Sequence, residues 1–395
     1  MFQEYDFMVI GKGLVGSAAA RYLSRQVASV VVVGPDEPSD GREPLVQAAH
    51  YDQARVQRSI GWEQVWTDLN MASVCAYPEL ERITGVKFHQ TPGCLYVDPN
   101  GGDDYLEQAI PMLRSGLVRG REYSNGSAIV RDFPFFRFPE RSAGMFESDP
   151  AGYIDPRSLV KAQCIASLNQ GCVFVNDTVI GLERKPGYFV ARTEDGRSFL
   201  AKKVLVATGS FANHLGILRT PVALRSKGET ILLARIDDVV AGSWMTMPSL
   251  LYEWDEEDIE GVYLLPPVVY PDGVIYLKIG ANFPEDPVFT ELEAVRDWFR
   301  SGDSDRFAPR LKAMLRKIIP GLPLGETLTK RCIVSYTPDR RPYIGRTDED
   351  GLYFAGGCNG YSAMCSDAMG SVAATLMSEG RYPTEYMEGF LRISY

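Results

Sequence analysis

Glycines 11, 13 and 16 in the run Gly11-Lys12-Gly13-Leu14-Val15-Gly16 have the spacing of a loop that wraps a pyrophosphate. The first glycine permits a tight turn, the second lets backbone approach phosphate, and the third lets a helix pack close against a strand. The loop follows the apolar run Tyr5–Ile10 and precedes a helical stretch, Ser17–Arg25, and the β-branched Val27–Val33. That strand, turn, helix, strand order is the setting a dinucleotide loop requires. The N-terminal turn of the helix offers N–H groups and a positive dipole end to an anion. An acidic residue that holds the ribose is expected at the end of the second strand. Gly34 stands there instead, which leaves Asp36 for the ribose from the next turn, or a solvated Asp36 with backbone groups on the ribose.

Two later segments favour FAD over NAD. Val204-Leu205-Val206-Ala207-Thr208-Gly209 is a buried strand that ends in small residues, where the chain can pass close to a cofactor. Gly356-Gly357-Cys358-Asn359-Gly360-Tyr361 is a second glycine-rich turn from strand to helix. A helix starting near Ala363 aims its positive end at a flavin pyrimidine ring and stabilises the anionic reduced form. A nicotinamide dehydrogenase has no need of this third element.

Lys278 sits in an apolar strand, and alternation puts it on one face with Tyr276 and Gly280. That face is either solvent or a functional site. Arg55 and Arg58 are three apart and would share a face of a helix. The aromatics Trp244, Tyr252, Trp254, Tyr263, Tyr270 and Tyr276 suggest either an aromatic-walled pocket or an aromatic core.

These residues need a scaffold of two kinds. Helical spacing marks about 60–85, a helix opened by Asp155-Pro156 over Ser158–Leu168, Phe289–Arg300, Phe307–Ile318 and Met364–Met377. Strands are expected at Gly93–Val97, Val173–Val175, Val179–Leu182, Tyr188–Arg192, Lys203–Ala207, Glu229–Ala234, Val262–Leu265, Val274–Gly280 and Leu352–Ala355. The two patterns interleave, so the domains are expected to be discontinuous. At 395 residues, 45% hydrophobic and 23% charged, the chain is an ordinary globular protein of two or three domains. Its 41 Lys+Arg against 51 Asp+Glu argue against nucleic acid and against a polybasic membrane anchor. No run of about 20 apolar residues suggests a membrane span, and no secretory leader is read at the N-terminus. Seven cysteines without C-x-x-C spacing and three histidines suggest neither a disulfide framework nor a metal site. Reduced thiols fit the cytoplasm.

Five segments together resemble the D-amino-acid oxidase superfamily of flavoproteins, and within it the monomeric sarcosine oxidase and N-methyltryptophan oxidase branch. They are Gly11–Gly16; His50-Tyr51-Asp52-Gln53-Ala54-Arg55 with Arg58; Ala207-Thr208-Gly209; Tyr276–Gly280; and Cys332–Asp339 running on to Gly356–Tyr361. The resemblance implies an α/β fold: a Rossmann-like FAD-binding domain (1–80, 150–225 and 326–395) interleaved with a mixed-sheet substrate domain with helices (81–149 and 226–325). It implies that Cys332 carries the flavin through its 8α-methyl group, against the alternative of an inert buried thiol. The flanking cations Lys330 and Arg331 favour the thiolate if they point the same way. It implies that Lys278 lies against the flavin and activates O₂, that Arg55 and Arg58 lie at the flavin edge and near a substrate carboxylate, and that Tyr263 and Tyr361 belong to the active site. The expected cofactor contacts are Gly11, Gly13, Leu14, Val15, Gly16, Asp36, His50, Arg55, Val179, Ala207, Thr208, Gly209, Cys332, Gly357, Asn359, Gly360 and Met364.

Two positions depart from the family pattern. Met364 stands where a lysine grips the substrate carboxylate, and Asn282 where a histidine follows the lysine strand. The expected activity is oxidation of an amine or amino-acid derivative at the C–H next to nitrogen. A hydride passes to flavin N5, and O₂ is then reduced to H₂O₂. The alternatives are an amine dehydrogenase with another electron acceptor and a non-catalytic flavin-binding protein. The expected partners are a small amine and O₂, with the chain a monomer or small homo-oligomer.

Overall fold

The computed structural model describes residues 4–26, 28–38, 45–237, 241–242, 244–254, 259 and 261–395, so Val27 of the expected strand lies outside them. An eight-stranded sheet is built around Glu4–Ile10, which pairs in parallel with Val30–Val33 on one side and Ser198–Val206 on the other. Val173–Val175 extends it in parallel beyond Val30–Val33, and Leu352–Gly356 runs parallel to Ser198–Val206. Alternation along the first strand sends Phe7 and Val9 into one core, and Met8 and Ile10 into another. A strand buried on both faces needs apolar residues at every position, which explains the unbroken run.

Helices Leu14–Ser24 and Ser366–Glu379 cover one face. They approach so closely that a Cβ on Gly370 would stand 2.5 Å from Ala18 Cβ. A buried polar knot ties these two helices to a third, Pro156–Asn169. Arg21 Nη2 donates to Asp367 Oδ1 at 2.6 Å, Tyr22 Oη donates to Asp367 Oδ2 at 2.7 Å, and Gln163 Nε2 also donates to Asp367. The Asp155 cap is as expected, its carboxylate accepting from the N–H groups of Arg157 and Ser158.

The second sheet has nine strands. Its central part runs Thr327–Tyr336, Arg225–Arg235, Ile275–Ala281, Val262–Val269, Ser249–Tyr252, Cys94–Asp98, Ala143–Glu147. The expected boundary at 326 places Thr327–Tyr336 in the FAD-binding domain. In the structure the strand pairs antiparallel with Arg225–Arg235 along almost its whole length. One face of this sheet, with Leu95, Leu232, Leu250, Leu264, Leu277 and Ile279, packs on helix Ala308–Ile318. The other face carries the candidate site. A three-stranded sheet, Arg55–Gln57, Gly152–Ile154 and His89–Gln90, lies between the two large ones in chain order and supplies Arg55.

Candidate active site

Residues paired across neighbouring strands point to the same face. The register therefore aligns one set of side chains: Cys332 opposite Glu229, Lys330 opposite Ile231, Ile231 opposite Gly280, Gly280 opposite Tyr263, Tyr263 opposite Leu251, and Leu251 opposite Tyr96. Lys278 lies on this same face, opposite Leu233 and Leu265. The solvent-face reading of Lys278 is thereby excluded, since the residue is 0% exposed.

Lys278 Nζ donates to Asp52 Oδ2 at 2.7 Å and to Ala54 O at 2.6 Å. It stands 5.6 Å from the centre of the Tyr263 ring. Burial first, and Arg55 next, lower the lysine to about 8 against the pull of Asp52. Burial alone would raise the Asp52 carboxyl, but Lys278 and Arg55 hold it far below the usual carboxylate range. Asp52 also accepts from Gln53 N at 2.8 Å, Tyr270 Oη at 3.2 Å and Arg55 Nη1. Asp52 enters the sequence only as part of the segment His50–Arg55; its spacing of three from Arg55 is the one signal it offers.

Arg55 and Arg58 are not on a helix, as their spacing suggested. Arg55 begins a three-residue strand, and Arg58 lies just beyond its end. They consequently go to different places. Arg55 turns to Asp52 and donates to Ala49 O at 2.9 Å. Arg58 is 2% exposed, its Cζ 4.3 Å from the Tyr105 ring and 5.9 Å from the rings of Trp62 and Tyr96. Its Nε and Nη1 have no hydrogen-bond partner. Tyr361 packs beside it, edge-on to Trp62 and Trp66. The aromatic segment 244–283 is divided by strand alternation. Tyr252 packs in the helix-side core with Trp244 and Trp254 beside it, whereas Tyr263, Tyr270 and Tyr276 line the other side.

Cys332 is half-buried by area, and its thiol donates to Glu229 O at 3.5 Å. The two flanking cations do not point the same way. Arg331 turns away and donates to Phe299 O at 2.8 Å and to Gly302 O, while Lys330 Nζ lies 5.2 Å from the Tyr270 ring. Burial first, then Glu229, push the thiol up, and Arg55 and Lys278 are the cations that oppose them. A cleft of about 610 Å³ opens at this point, with Tyr51, Asp52, Arg55, Ile231, Lys330 and Cys332 in its wall.

At the other end of the candidate site, two of the three loop glycines answer to the protein itself. A Cβ on Gly11, which has φ +105°, would meet Ala207 O at 2.5 Å, and one on Gly16 would meet Gly11 O at 2.0 Å. A Cβ on Gly13 would find only His50 Nδ1, at 3.9 Å, so the middle glycine leaves room outside the loop. Gly13 caps helix Leu14–Ser24 without a side chain. Leu14 packs towards the Tyr77 cluster and Val15 towards the Trp66 cluster, which leaves their backbone N–H groups for a ligand. His50 Nδ1, Tyr51 Oη and Thr208 Oγ1 are buried without partners near the loop and the cleft. Burial lowers His50 to about 4, so the imidazole is neutral. An open glycine, a bare helix N-terminus and three unpartnered polar atoms fit a long phosphate-bearing ligand such as FAD.

The missing ribose acid has a steric reason, because a Cβ on Gly34 would stand 2.6 Å from Lys12 N. Asp36 is exposed and pairs with Lys12 Nζ. Val179 is buried among Val33 and Val206. Gly209 opens a short 3₁₀ turn after Ala207-Thr208. In the late turn, Gly357, Asn359 and Gly360 all have positive φ. The Asn359 amide is committed to Thr337 N at 2.8 Å and Gly357 O at 2.8 Å. The helix expected near Ala363 begins at Ser366, and Met364 is buried with its carbonyl accepting from Tyr77 Oη at 3.2 Å. Asn282 follows the end of the Lys278 strand and is half-buried. Among the described residues, no group of His, Cys, Asp and Glu stands where it could hold a metal ion, and no helix is long and apolar enough to cross a membrane.

The chain is similar to N-methyl-L-tryptophan oxidase of Yersinia pestis, 26% identical over 214 residues, which are 54% of this chain and 55% of that protein. The match thus spans about half the length of these curated relatives. Among solved structures it is similar to NikD, described as an unusual amino acid oxidase essential for nikkomycin biosynthesis (TM-score 0.78, 19% identity, 100% of this chain and 98% of that one). It is also similar to fructosyl amine: oxygen oxidoreductase (Amadoriase I) from Aspergillus fumigatus (TM-score 0.72, 17% identity, 98% and 89%). A third is glycine oxidase from Geobacillus kaustophilus (TM-score 0.71, 16% identity, 98% and 98%). At these identities the structures speak for the fold. Residues 6–376 match the model of the DAO family, described as FAD dependent oxidoreductase, and the chain belongs to that family.

Proposed function

We propose that the chain is an FAD-dependent oxidase of an amine or amino-acid derivative that carries a carboxylate. FAD, when bound, takes up the two electrons of the substrate C–H next to nitrogen and passes them to O₂, giving H₂O₂. The observation that carries this reading is the buried Lys278–Asp52 pair on the same sheet face as Cys332 and Tyr263. The Lys278 ammonium, held at Nζ by Asp52 and Ala54 O, supplies positive charge where O₂ acquires negative charge.

Arg58 grips the carboxylate with its unpartnered Nε and Nη1, in a setting dry enough to strengthen the contact. That gives Arg58 the task which Met364 cannot perform. Tyr263, Tyr361 and Trp62 wall the space and exclude water. His50, Tyr51 and Thr208 take polar groups of the cofactor, and the Gly11–Gly16 loop its phosphates. Cys332 carries the flavin covalently. Its thiol sits in the cleft wall, with Arg55 and Lys278 as the charges that favour its thiolate. The N-methyltryptophan oxidase and Amadoriase I names agree with an N-substituted amine as substrate. The six cysteines besides Cys332, none in a disulfide, suit the reducing cytoplasm, and we read the chain as a monomer or small homo-oligomer. A panel of amines and N-alkyl amino acids scored for peroxide tests the reading. Release from at least one carboxylate-bearing amine is expected, and reduction of an added quinone without peroxide would turn it into a dehydrogenase.

A further inference from the structure

Beyond Arg58 the same sheet face continues to an acidic group that the oxidase reading does not use. Tyr96 Oη meets two carboxylates, Asp103 Oδ2 and Glu253 Oε1, the latter at 3.0 Å. A phenol has a single proton to donate. Asp103 has its own employment, since its Oδ1 caps helix Asp104–Arg114 by accepting from Leu106 N at 2.9 Å. Asp98 is likewise occupied, accepting from the N–H groups of Asn100 and Gly102 at 2.8 Å each. Glu253 is half-buried, and among the described residues no cation lies within ion-pair distance of it.

Tyr96 links Glu253 to the neighbourhood of Arg58. The Arg58 guanidinium, nearly solvent-free and unpartnered at two atoms, lies 5.9 Å from the ring of the same Tyr96. The Tyr361 hydroxyl lies in the field of both Arg58 and Glu253. Arg58 and Glu253 thus flank the same Tyr96, the guanidinium without partners at two atoms and the Glu253 carboxyl bonded to the phenol; burial, with Asp103 and Asp98 beside it, raises that carboxyl, and Tyr96 and Arg58 oppose the rise. Glu253 also lies well away from Lys278. It follows Ser249–Tyr252, two strands over from Ile275–Ala281, which is roughly 10 Å across the sheet. It stands next to Gly261, four residues along from Leu265, the partner of Lys278, or roughly 13 Å along the strands.

We propose that Glu253 is a cation subsite, so that the substrate is an amino acid, free or N-substituted, with a second protonated nitrogen remote from the one oxidised. This rests on the oxidase reading for the chemistry, and on Arg58 for the carboxylate. Arg58 and Glu253 then bind the two ends of a dipolar molecule, and the aromatic rings of Tyr96, Tyr105 and Trp62 cover its stem. A neutral or acidic side chain leaves Glu253 desolvated without a partner, which selects against such substrates.

Calorimetric titration of the FAD-loaded protein with 6-aminohexanoate and with hexanoate tests the subsite apart from turnover. These probes differ only in the distal ammonium. The expected result is at least tenfold tighter binding of 6-aminohexanoate, with Glu253→Gln erasing the difference. Equal affinities in the unaltered protein, binding of neither probe, or a preference that survives in Glu253→Gln overturns the proposal. The comparison in the unaltered protein stands whether or not the variant folds. If 6-aminohexanoate is preferred while no amine in the panel yields peroxide, the oxidase reading fails and the subsite stands.

Discussion

The Lys278 ammonium and the Asp52 carboxylate, 226 residues apart in the chain, meet at 2.7 Å where Lys278 has no exposed surface. The lysine comes from the large mixed sheet, and the aspartate from the segment between the dinucleotide loop and the small sheet. Breaking a buried pair from one side leaves a charge without compensation, at a cost of about 3–5 kcal/mol. The pair therefore fixes the site and binds two parts of the fold together.

The pair has a pH signature. Lys278 is lowered to about 8 from 10.5. Between those values the unfolded chain holds a proton that the native chain has released, so stability rises with pH across that window. Below about pH 8 both states are protonated and the contribution is flat. Chemical unfolding at stepped pH should show this rise in the unaltered protein relative to Lys278→Met. A difference curve without slope between pH 8 and 10.5 would contradict the assignment.

Lys278→Met should also slow reoxidation of the reduced flavin by air at least tenfold, measured by stopped-flow absorbance, while flavin reduction by substrate changes less. An unaltered reoxidation rate would remove the lysine from oxygen chemistry.

Cys332→Ser separates attachment from binding. Acid-precipitated unaltered protein should stay yellow and gain the mass of FAD, and the variant should precipitate colourless while binding FAD reversibly. Colourless precipitate from the unaltered protein would leave Cys332 an ordinary thiol.

Arg58→Met should weaken carboxylate-bearing substrates by about 1.5–3 kcal/mol, which is roughly ten- to a hundredfold in KM. The corresponding amides should change little. A similar rise for acid and amide would mean that Arg58 supports the pocket without touching the carboxylate.

Gly280→Ala puts a Cβ 2.4 Å from the Tyr263 ring, directly across the strand pair. Overpacking of this kind costs about 1–3 kcal/mol, and the shifted ring should reduce turnover more than FAD binding. Retention of full activity would indicate that Tyr263 does not contribute to catalysis.

What the sequence made legible was local. The loop Gly11–Gly16, the buried run ending at Val33 and the Asp155-Pro156 helix start each follow from a few adjacent residues, and each is present. What it hid depends on pairing between distant strands. Arg55 and Arg58 are three apart, which reads as one helix face. A strand of three residues is too short to announce itself by alternation, so their divergence was invisible. Trp244, Tyr252 and Tyr263 look like one aromatic set until the register puts Tyr252 on one side of the sheet and Tyr263 on the other. Asp52 offers only its spacing from Arg55 and Glu253 no sequence signal of its own, because their partners Lys278 and Tyr96 arrive through tertiary contact.

Anaerobic mixing of the purified protein with carboxylate-bearing amines, followed by air, tests the central claim most directly. The account predicts flavin absorbance bands that bleach with at least one such amine and return with air as peroxide forms. Flavin bands that persist under argon with every amine tried, in protein that is folded and fully loaded, would contradict it.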